Sequence, residues 1–362
     1  MNASWQTLHE FYQGKRVLVT GHTGFKGSWL VRILTLLGAR VTGYAAEAPT
    51  DPSLFEIAGL ADTIDSRIGD IRDQEKLAEV FAQTQPELVF HLAAQPIVRE
   101  SYRDPVYTYE TNVMGTVHVL ECVRRTASVR SFLNVTTDKV YENREWEYGY
   151  RESDNLNGFD PYSNSKSCSE LVTASYRSSF FADSACRIST ARAGNVIGGG
   201  DFAADRILPD CIRAAAAGRE IIVRNPHSTR PYQYVLEPLS AYLLIAMRQY
   251  EDREAEGCYN VGPEDRDCVT TGTLTDLFCE LWGEGQTWAD RYDGGPHEAS
   301  FLKLDCSHIK KKLGWQPRTG IREAVGMTVD WMKGYLAGEE ILPLMDRQIR
   351  TFFEENGGKE HV

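Results

Sequence analysis

The stretch Arg16-Val17-Leu18-Val19-Thr20-Gly21-His22-Thr23-Gly24-Phe25-Lys26-Gly27 decides the fold. Its first five residues read as a short apolar strand. Three glycines come next in G-x-x-G-x-x-G spacing, and residues 25–37 place apolar side chains at helical intervals up to Gly38. Strand, glycine-rich turn and helix in that order are what a pyrophosphate site on a helix N-terminus needs. Glycines let the backbone approach the phosphates. A lone loop of this kind also serves as a plain tight turn, so its meaning depends on the rest of the chain.

Beyond Gly38 the chain repeats an α/β pattern. Arg40 to Tyr44 reads as a second strand, Ile64 to Ile71 as a third and Glu87 to Ala94 as a fourth. Ser131 to Thr137 is a fifth, and Cys186 to Asn195 a sixth. Helical patterns separate them, one ending near Thr84 and two long ones over 105–126 and 162–181. Six strands separated by helices predict an α/β fold with a Rossmann-type doubly wound parallel sheet. In the first βα turn of such a domain, Gly21, His22, Thr23, Gly24, Phe25, Lys26 and Gly27 read as a dinucleotide site.

After Asn195 the pattern loosens at Gly198-Gly199-Gly200-Asp201. Helical segments near 206–217, 236–250 and 273–282 alternate with short strands. The expected division is a Rossmann domain over 1–195, with later elements contributing, and a smaller mixed α/β substrate-binding lobe over 196–362.

The 42% hydrophobic and 25% charged content of the 362 residues is that of a globular protein. A net charge of −12 argues against a nucleic-acid surface and against attraction to anionic lipid. Any phosphate-bearing ligand must therefore be held by local donors. No apolar run approaches a membrane span, and Met1 to Arg16 lacks the apolar core of a signal peptide. The eight cysteines form no Cys-x-x-Cys pair and several lie in apolar segments, as expected of reduced cysteines in a cytoplasmic protein. No metal is expected. Lys310-Lys311-Lys312 reads as a solvated face.

The end of the second strand usually separates NAD from NADP. No Lys or Arg occurs from Val41 through Ser66, so no partner for a 2′-phosphate is evident and NAD is expected. The usual acidic residue is also missing. Tyr44 stands roughly there, with Glu47 nearby. Asp70, ahead of Ile71, is placed either to accept from an adenine amino group or to cap the next helix. Leu92-Ala93-Ala94-Gln95 ends the fourth strand with small residues, which suits a flat ligand or ordinary sheet–helix packing. Asn112 is unfavourable inside a helix unless bonded, so it is a candidate for holding a backbone kink beside the site.

A second constellation carries chemistry. Thr136-Thr137-Asp138-Lys139-Val140-Tyr141 puts a hydroxyl, a carboxyl and an amine at the end of the fifth strand. Pro161-Tyr162-Ser163-Asn164-Ser165-Lys166 contains a Tyr-x-x-x-Lys pair. With Pro161 opening a helix, Tyr162 and Lys166 stand one turn apart on one face. A nearby ammonium favours phenolate, so Tyr162 is a candidate base. Arg230 comes after the loop-like run Asn225-Pro226-His227-Ser228-Thr229 and is suited to gripping a phosphate. Arg206 and Arg219 are further candidates, and Asn260, ending a strand-like run, either bonds a phosphate or makes a turn.

Together these residues resemble the extended short-chain dehydrogenase/reductase family that modifies nucleotide sugars. The resemblance spans nearly the whole chain, from the glycine loop through Asp70-Ile71, Leu92-Ala93-Ala94, Asn112, Tyr162-x-x-x-Lys166, Asn195 and Arg230 to Leu313-Gly314-Trp315. Thr137-Asp138-Lys139 is similar to the Thr-Asp-Glu triplet of the 4,6-dehydratases, with Lys in place of Glu. That departure, Gly-His-Thr-Gly-Phe-Lys-Gly, residues 192–201 and Arg230-Pro231-Tyr232-Gln233 resemble the CDP-glucose 4,6-dehydratases. The resemblance implies oxidation of CDP-glucose at C4, loss of water across C5 and C6, and reduction at C6 by the same hydride, with NAD regenerated. It implies Tyr162 as the O4 base, Lys166 on the nicotinamide ribose, Thr137 on the C4 oxygen and Asp138 as the acid at C6. Lys139 becomes the C5 base, or orients Asp138, or stabilises the enolate. Arg230 is implied on the pyrophosphate with Asn195 near it. A homodimer or dimer of dimers, paired through helices 105–126 and 162–181, is implied, as is a role in deoxysugar synthesis for a surface polysaccharide such as O-antigen. A nucleotide-sugar 4-epimerase shares the Tyr–Lys pair but has no need of Asp138-Lys139, and a non-catalytic dinucleotide sensor needs neither.

Overall fold

A computed structural model of the chain describes residues 2–291 and 300–354. Its centre is a seven-stranded sheet, counted among the described residues. The strands are β1 (Arg16–Thr20), β2 (Arg40–Ala45), β3 (Asp65–Ile68), β4 (Leu88–His91), β5 (Ser131–Thr137), β6 (Arg187–Ala193) and β7 (Cys258–Val261). Their order is β7-β6-β5-β4-β1-β2-β3, and every pairing is parallel. This is the doubly wound order in which the chain reverses direction between β1 and β4.

Longer helices cover both faces: α1 (Trp5–Tyr12), α2 (Phe25–Leu36), α3 (Gln74–Thr84), α4 (Gly115–Arg125), α5 (Pro161–Phe180), α6 (Ile207–Ala216) and α7 (Leu236–Glu251). Side chains therefore alternate between two cores rather than between core and water. Val17 and Val19 join the larger core with α2 and α7, while Leu18 joins the smaller one with Val89, Phe132 and Ile188. That is why the strands read as continuous apolar runs. Each such side chain, fully buried, contributes about 1.5–3 kcal/mol.

The seventh strand is a difference from the six expected. Cys258–Val261 lies far along the chain but pairs with β6 from Cys258 opposite Thr190 to Val261 opposite Ala193. The expected boundary at 195 is thus crossed by β7, and by α7, which packs on β5 and β6. The third and fourth strands are shorter than their apolar runs. β4 stops at His91 because the next segment leaves the sheet, its Ala93 N–H donating to the Thr20 hydroxyl at 3.3 Å. The helix expected over 105–126 is three pieces, Pro105–Tyr109, a π turn at 110–114 and α4. Asn112 sits in the π turn. A short helix, Val98–Arg103, was not evident from spacing.

All eight cysteines are free thiols. No described helix is long and apolar enough to cross a membrane, and no described His/Cys/Asp/Glu cluster is arranged for a metal.

Glu237, in the first turn of α7, is fully buried. Its Oε1 accepts from Arg318 N, Thr319 N and the Thr319 hydroxyl, and its Oε2 has no partner. Burial pushes its carboxyl up to about 7. A carboxyl raised on folding favours the fold below its unfolded value and loses that contribution as pH rises through its folded value. Glu237→Gln keeps the acceptor and removes the charge. The variant is expected to gain about 3 kcal/mol over wild type above pH ~7 and little below pH ~4.5. Urea unfolding at the two ends of that window measures the difference.

Candidate active site

Ligand crevices in such sheets open beyond the C-terminal strand ends, where the chain direction reverses. Here the glycine turn after β1 meets the segment after β4. Gly21 has φ +79°, and a Cβ on it would lie 2.6 Å from Ala93 N. A Cβ on Gly27 would lie 2.1 Å from Gly21 O. Gly24 has room, but it caps α2 without any side-chain bond, leaving the first-turn N–H groups facing outward. This backbone cradle fits a dinucleotide pyrophosphate.

Two side chains of the loop serve its shape instead of the cleft. His22 is buried, with Nε2 at 2.8 Å from Ser66 Oγ, and burial pushes it down to about 4. Thr23 donates to Ala46 O at 2.9 Å. Phe25 and Lys26 line the cleft. The Lys26 amine lies 6.0 Å from the Tyr242 ring centroid and has no carboxylate partner among the described residues. Burial, with Lys166 and Arg206 nearby, pushes it down to about 7.

Tyr44 differs from expectation, and of the two alternatives for Asp70 the helix cap fails. The Tyr44 ring is buried in the smaller core, and its hydroxyl donates to Asp70 O at 3.0 Å, so it offers nothing to a ribose. The Asp70 carboxylate is gripped by the Arg72 guanidinium at 2.7 and 3.0 Å, which holds it below its usual range. It does not cap the next helix, because Asp73 takes that place. Ile71 is buried beneath Gly115. Leu92, Ala93 and Ala94 form the wall opposite the glycine turn. Asn112 holds that wall, accepting from Gln95 N at 2.8 Å and donating to Gln95 O and Ser165 Oγ at 3.0 and 2.9 Å. The Gln95 side chain is spent on Thr108 and Ile97.

The reacting groups gather where β5 ends and α5 begins. Asp160 caps α5 and Pro161 opens it, which sets Tyr162 and Lys166 on one face. Thr137, Asp138, Lys139 and Tyr162 all line the same cleft of about 530 Å³. Lys166 is buried and donates to Val135 O at 2.9 Å. Burial pushes Lys166 down to about 8, with Glu170 opposing. Burial also pushes the Tyr162 phenol up to about 12, while the Thr137 hydroxyl draws it down. This corrects the expectation that Lys166 lowers Tyr162, since the ammonium is turned to a strand carbonyl. Asp138 is 2% exposed. Its Oδ1 accepts from the Thr137 hydroxyl at 2.9 Å, and its Oδ2 is buried with no partner. Burial raises its pKa, against the pull of Lys139 and Arg230. The result is a carboxyl biased toward its protonated form, lining the same cleft as the Tyr162 phenol.

A family profile described as GDP-mannose 4,6 dehydratase matches residues 18–328. The chain belongs to that family. It is 51% identical to the CDP-glucose 4,6-dehydratase of Salmonella typhimurium, over 94% of this chain and 97% of that protein. Among solved structures, the NAD complex of Thermus thermophilus UDP-glucose 4-epimerase aligns with a TM-score of 0.77 and 25% identity, covering 88% of this chain and 99% of that one. Bacillus anthracis dTDP-glucose 4,6-dehydratase, also in complex with NAD, aligns with a TM-score of 0.76 and 20% identity, over 91% and 100%. The latter likeness establishes the fold alone.

In this dehydratase-family chain the substrate-side candidates divide. Asn195, Arg206 and Arg230 line the cleft. Arg206 is held by Asp201 at 2.9 Å, and Arg230 is buried at the edge nearest Asp138. Arg219 does not join them; it is exposed in the turn after α6. Asn260 is fully buried in β7 and saturated by the Tyr141 hydroxyl, Tyr150 O and Asp305 O, so it contacts no ligand. Arg99 and Arg224 line the cleft and were missed. Both ion-pair with Asp205, at 3.8 and 2.6 Å. Arg224 directly follows the short strand Ile221–Val223, which was the available signal for it; Arg99, on the helix Val98–Arg103, gave none.

Proposed function

We propose that the protein converts CDP-D-glucose to CDP-4-dehydro-6-deoxy-D-glucose, with NAD regenerated in each turnover. The observation that carries this reading is Asp138, a buried acid with one unpartnered oxygen beside Tyr162 and Thr137. Expelling a hydroxyl from C6 needs a group that arrives protonated, whereas inversion at C4 needs none. The identity to the Salmonella enzyme supports CDP-glucose as the substrate.

Each residue then has a task. Tyr162, as phenolate, takes the proton from O4, and Thr137 bonds the same oxygen. Bound at the glycine loop, NAD would supply the hydride acceptor for C4 and the hydride donor for C6. Asp138 delivers its proton to the departing C6 hydroxyl. The Lys139 amine, without a carboxylate partner among the described residues, removes the C5 proton or orients Asp138. Gly21, Gly24 and Gly27 admit the NAD pyrophosphate, the Leu92–Ala94 wall its flat rings, and Lys166 its nicotinamide ribose. Arg206, Arg230 and Asn195 hold the sugar-nucleotide diphosphate. The same reading makes this a cytoplasmic enzyme of deoxysugar synthesis for a surface polysaccharide. It also pairs the helical stretch 105–126 with α5 into a homodimer or dimer of dimers, which the exposed Met114 and Leu171 support.

The test is mass analysis of the sugar nucleotide after incubation with NAD and CDP-glucose, beside dTDP-, GDP- and UDP-sugars. Loss of one water from CDP-glucose alone, with no accumulation of reduced cofactor, is expected. Unchanged mass with inverted C4 would replace the proposal with an epimerase, and binding of NAD without any turnover would replace it with a sensor.

A further inference from the structure

The catalytic segment Thr137-Asp138-Lys139 is bracketed by two tethers to one buried ion pair. Glu170 and Arg192 are 1% and 3% exposed at the side chain and meet at 2.9 Å. Before the segment, the Thr136 hydroxyl donates to Glu170 Oε1 at 2.5 Å. After it, the Tyr141 hydroxyl accepts from Arg192 Nη1 at 2.9 Å. Glu170 is also one turn beyond Lys166 on α5, so the helix that carries Lys166 is fixed to the same pair. Thr190 on β6 donates to Glu170 Oε2 at 2.8 Å, completing that carboxylate.

We propose that the Glu170–Arg192 pair is a positioning device, which sets Thr137 and Asp138 at a fixed distance from Tyr162 and Lys166.

A stability role explains the pair less well. Taking two charges out of water costs about as much as their attraction returns, and apolar residues of similar volume often do as well. Arg192 Nε is left buried without an acceptor, which a device built for stability alone would avoid. What the pair supplies instead is direction. Its donors and acceptors are fixed in a planar fork and a planar carboxylate, and they reach β5, β6, α5 and the turn after Lys139 together. Without it, the segment would be linked to α5 by the Lys166 amine on Val135 O and the Ser167 hydroxyl on Val140 O, at 2.9 and 2.7 Å, each a single bond to a backbone carbonyl that does not orient the side chains between. A misplacement of about 1 Å is enough to cost ~10²-fold in rate.

This inference rests on the dehydratase reading, so wild type is assayed on CDP-glucose in parallel. The first variant is Glu170→Leu with Arg192→Met, which leaves no unpaired buried charge. The second, Thr136→Val with Tyr141→Phe, keeps the ion pair and cuts both tethers. Both are expected to lose kcat by ~10²-fold with KM for CDP-glucose nearly unchanged. A purely structural pair would lower the melting temperature and leave kcat per folded molecule intact. Should the first variant fail to fold, the second decides. Either variant folded, with wild-type kcat, overturns the inference; an inactive wild type overturns the reading beneath it.

Discussion

Tyr162→Phe is expected to bind CDP-glucose as wild type does and to turn it over ~10³-fold more slowly. The phenyl ring keeps the packing at the start of α5, and only the hydroxyl that takes the O4 proton is lost. Thr137, Asp138 and Lys166 do not substitute for it. Thr137 is an alcohol already donating to Asp138, and burial biases Asp138 toward the protonated form that the C6 step needs. Lys166 is directed at Val135 O. The phenol stands at about 12, so the active phenolate grows with pH. Wild-type kcat/KM should therefore fall as pH is lowered, and that acidic limb should be absent from whatever activity the variant retains. The measurements are titration calorimetry for binding and product mass for turnover. Retention of more than about a tenth of wild-type turnover would remove Tyr162 from the base role.

Much of this was readable from the residues, for identifiable reasons. The sheet was legible because strands buried on both faces write continuous apolar runs, and because glycines in a first βα turn have a narrow range of uses. The Tyr162–Lys166 pair was legible because one helical turn fixes their relation regardless of tertiary context. What was not legible depends on long-range packing. β7 could not be assigned to the main sheet, since its partner β6 lies some seventy residues earlier in the chain. Tyr44 was misplaced because strand alternation alone does not say which face meets the ligand, and its face meets the smaller core. Asn260 looked like a ligand donor at a strand end, and three protein partners consumed it. Glu170 and Arg192 gave no signal at all. A buried ion pair is two ordinary charged residues until the fold brings them to 2.9 Å.

Asp138→Asn separates the steps that Tyr162→Phe stops together. Asparagine matches the carboxyl in shape and still accepts from the Thr137 hydroxyl, so the turn 138–140 should hold. It has no acidic proton to give. Oxidation at C4 should continue, and loss of water should slow by ~10²–10³-fold, the scale of one general acid. In deuterated solvent, CDP-glucose recovered from this variant should carry label at C5 if Lys139 is the C5 base, because the proton can leave and return while the hydroxyl stays. Absence of label, with dehydration still blocked, would assign Lys139 to orienting Asp138. The same carboxyl also sets an upper limit on pH. Its pKa is raised by burial, and its proton is lost as pH rises through that value, so dehydration by wild type should decline on the alkaline side. One group must be deprotonated at O4 and its neighbour protonated at C6, yet burial favours the neutral form of both. The cleft meets that demand by asymmetry. The Thr137 hydroxyl and the Arg206 charge draw the Tyr162 phenol down, while Asp138 keeps one oxygen free of any partner that would stabilise its anion. A variant that dehydrates CDP-glucose within tenfold of wild type, on the scale of a single acid's contribution, would show that the C6 oxygen takes its proton from elsewhere.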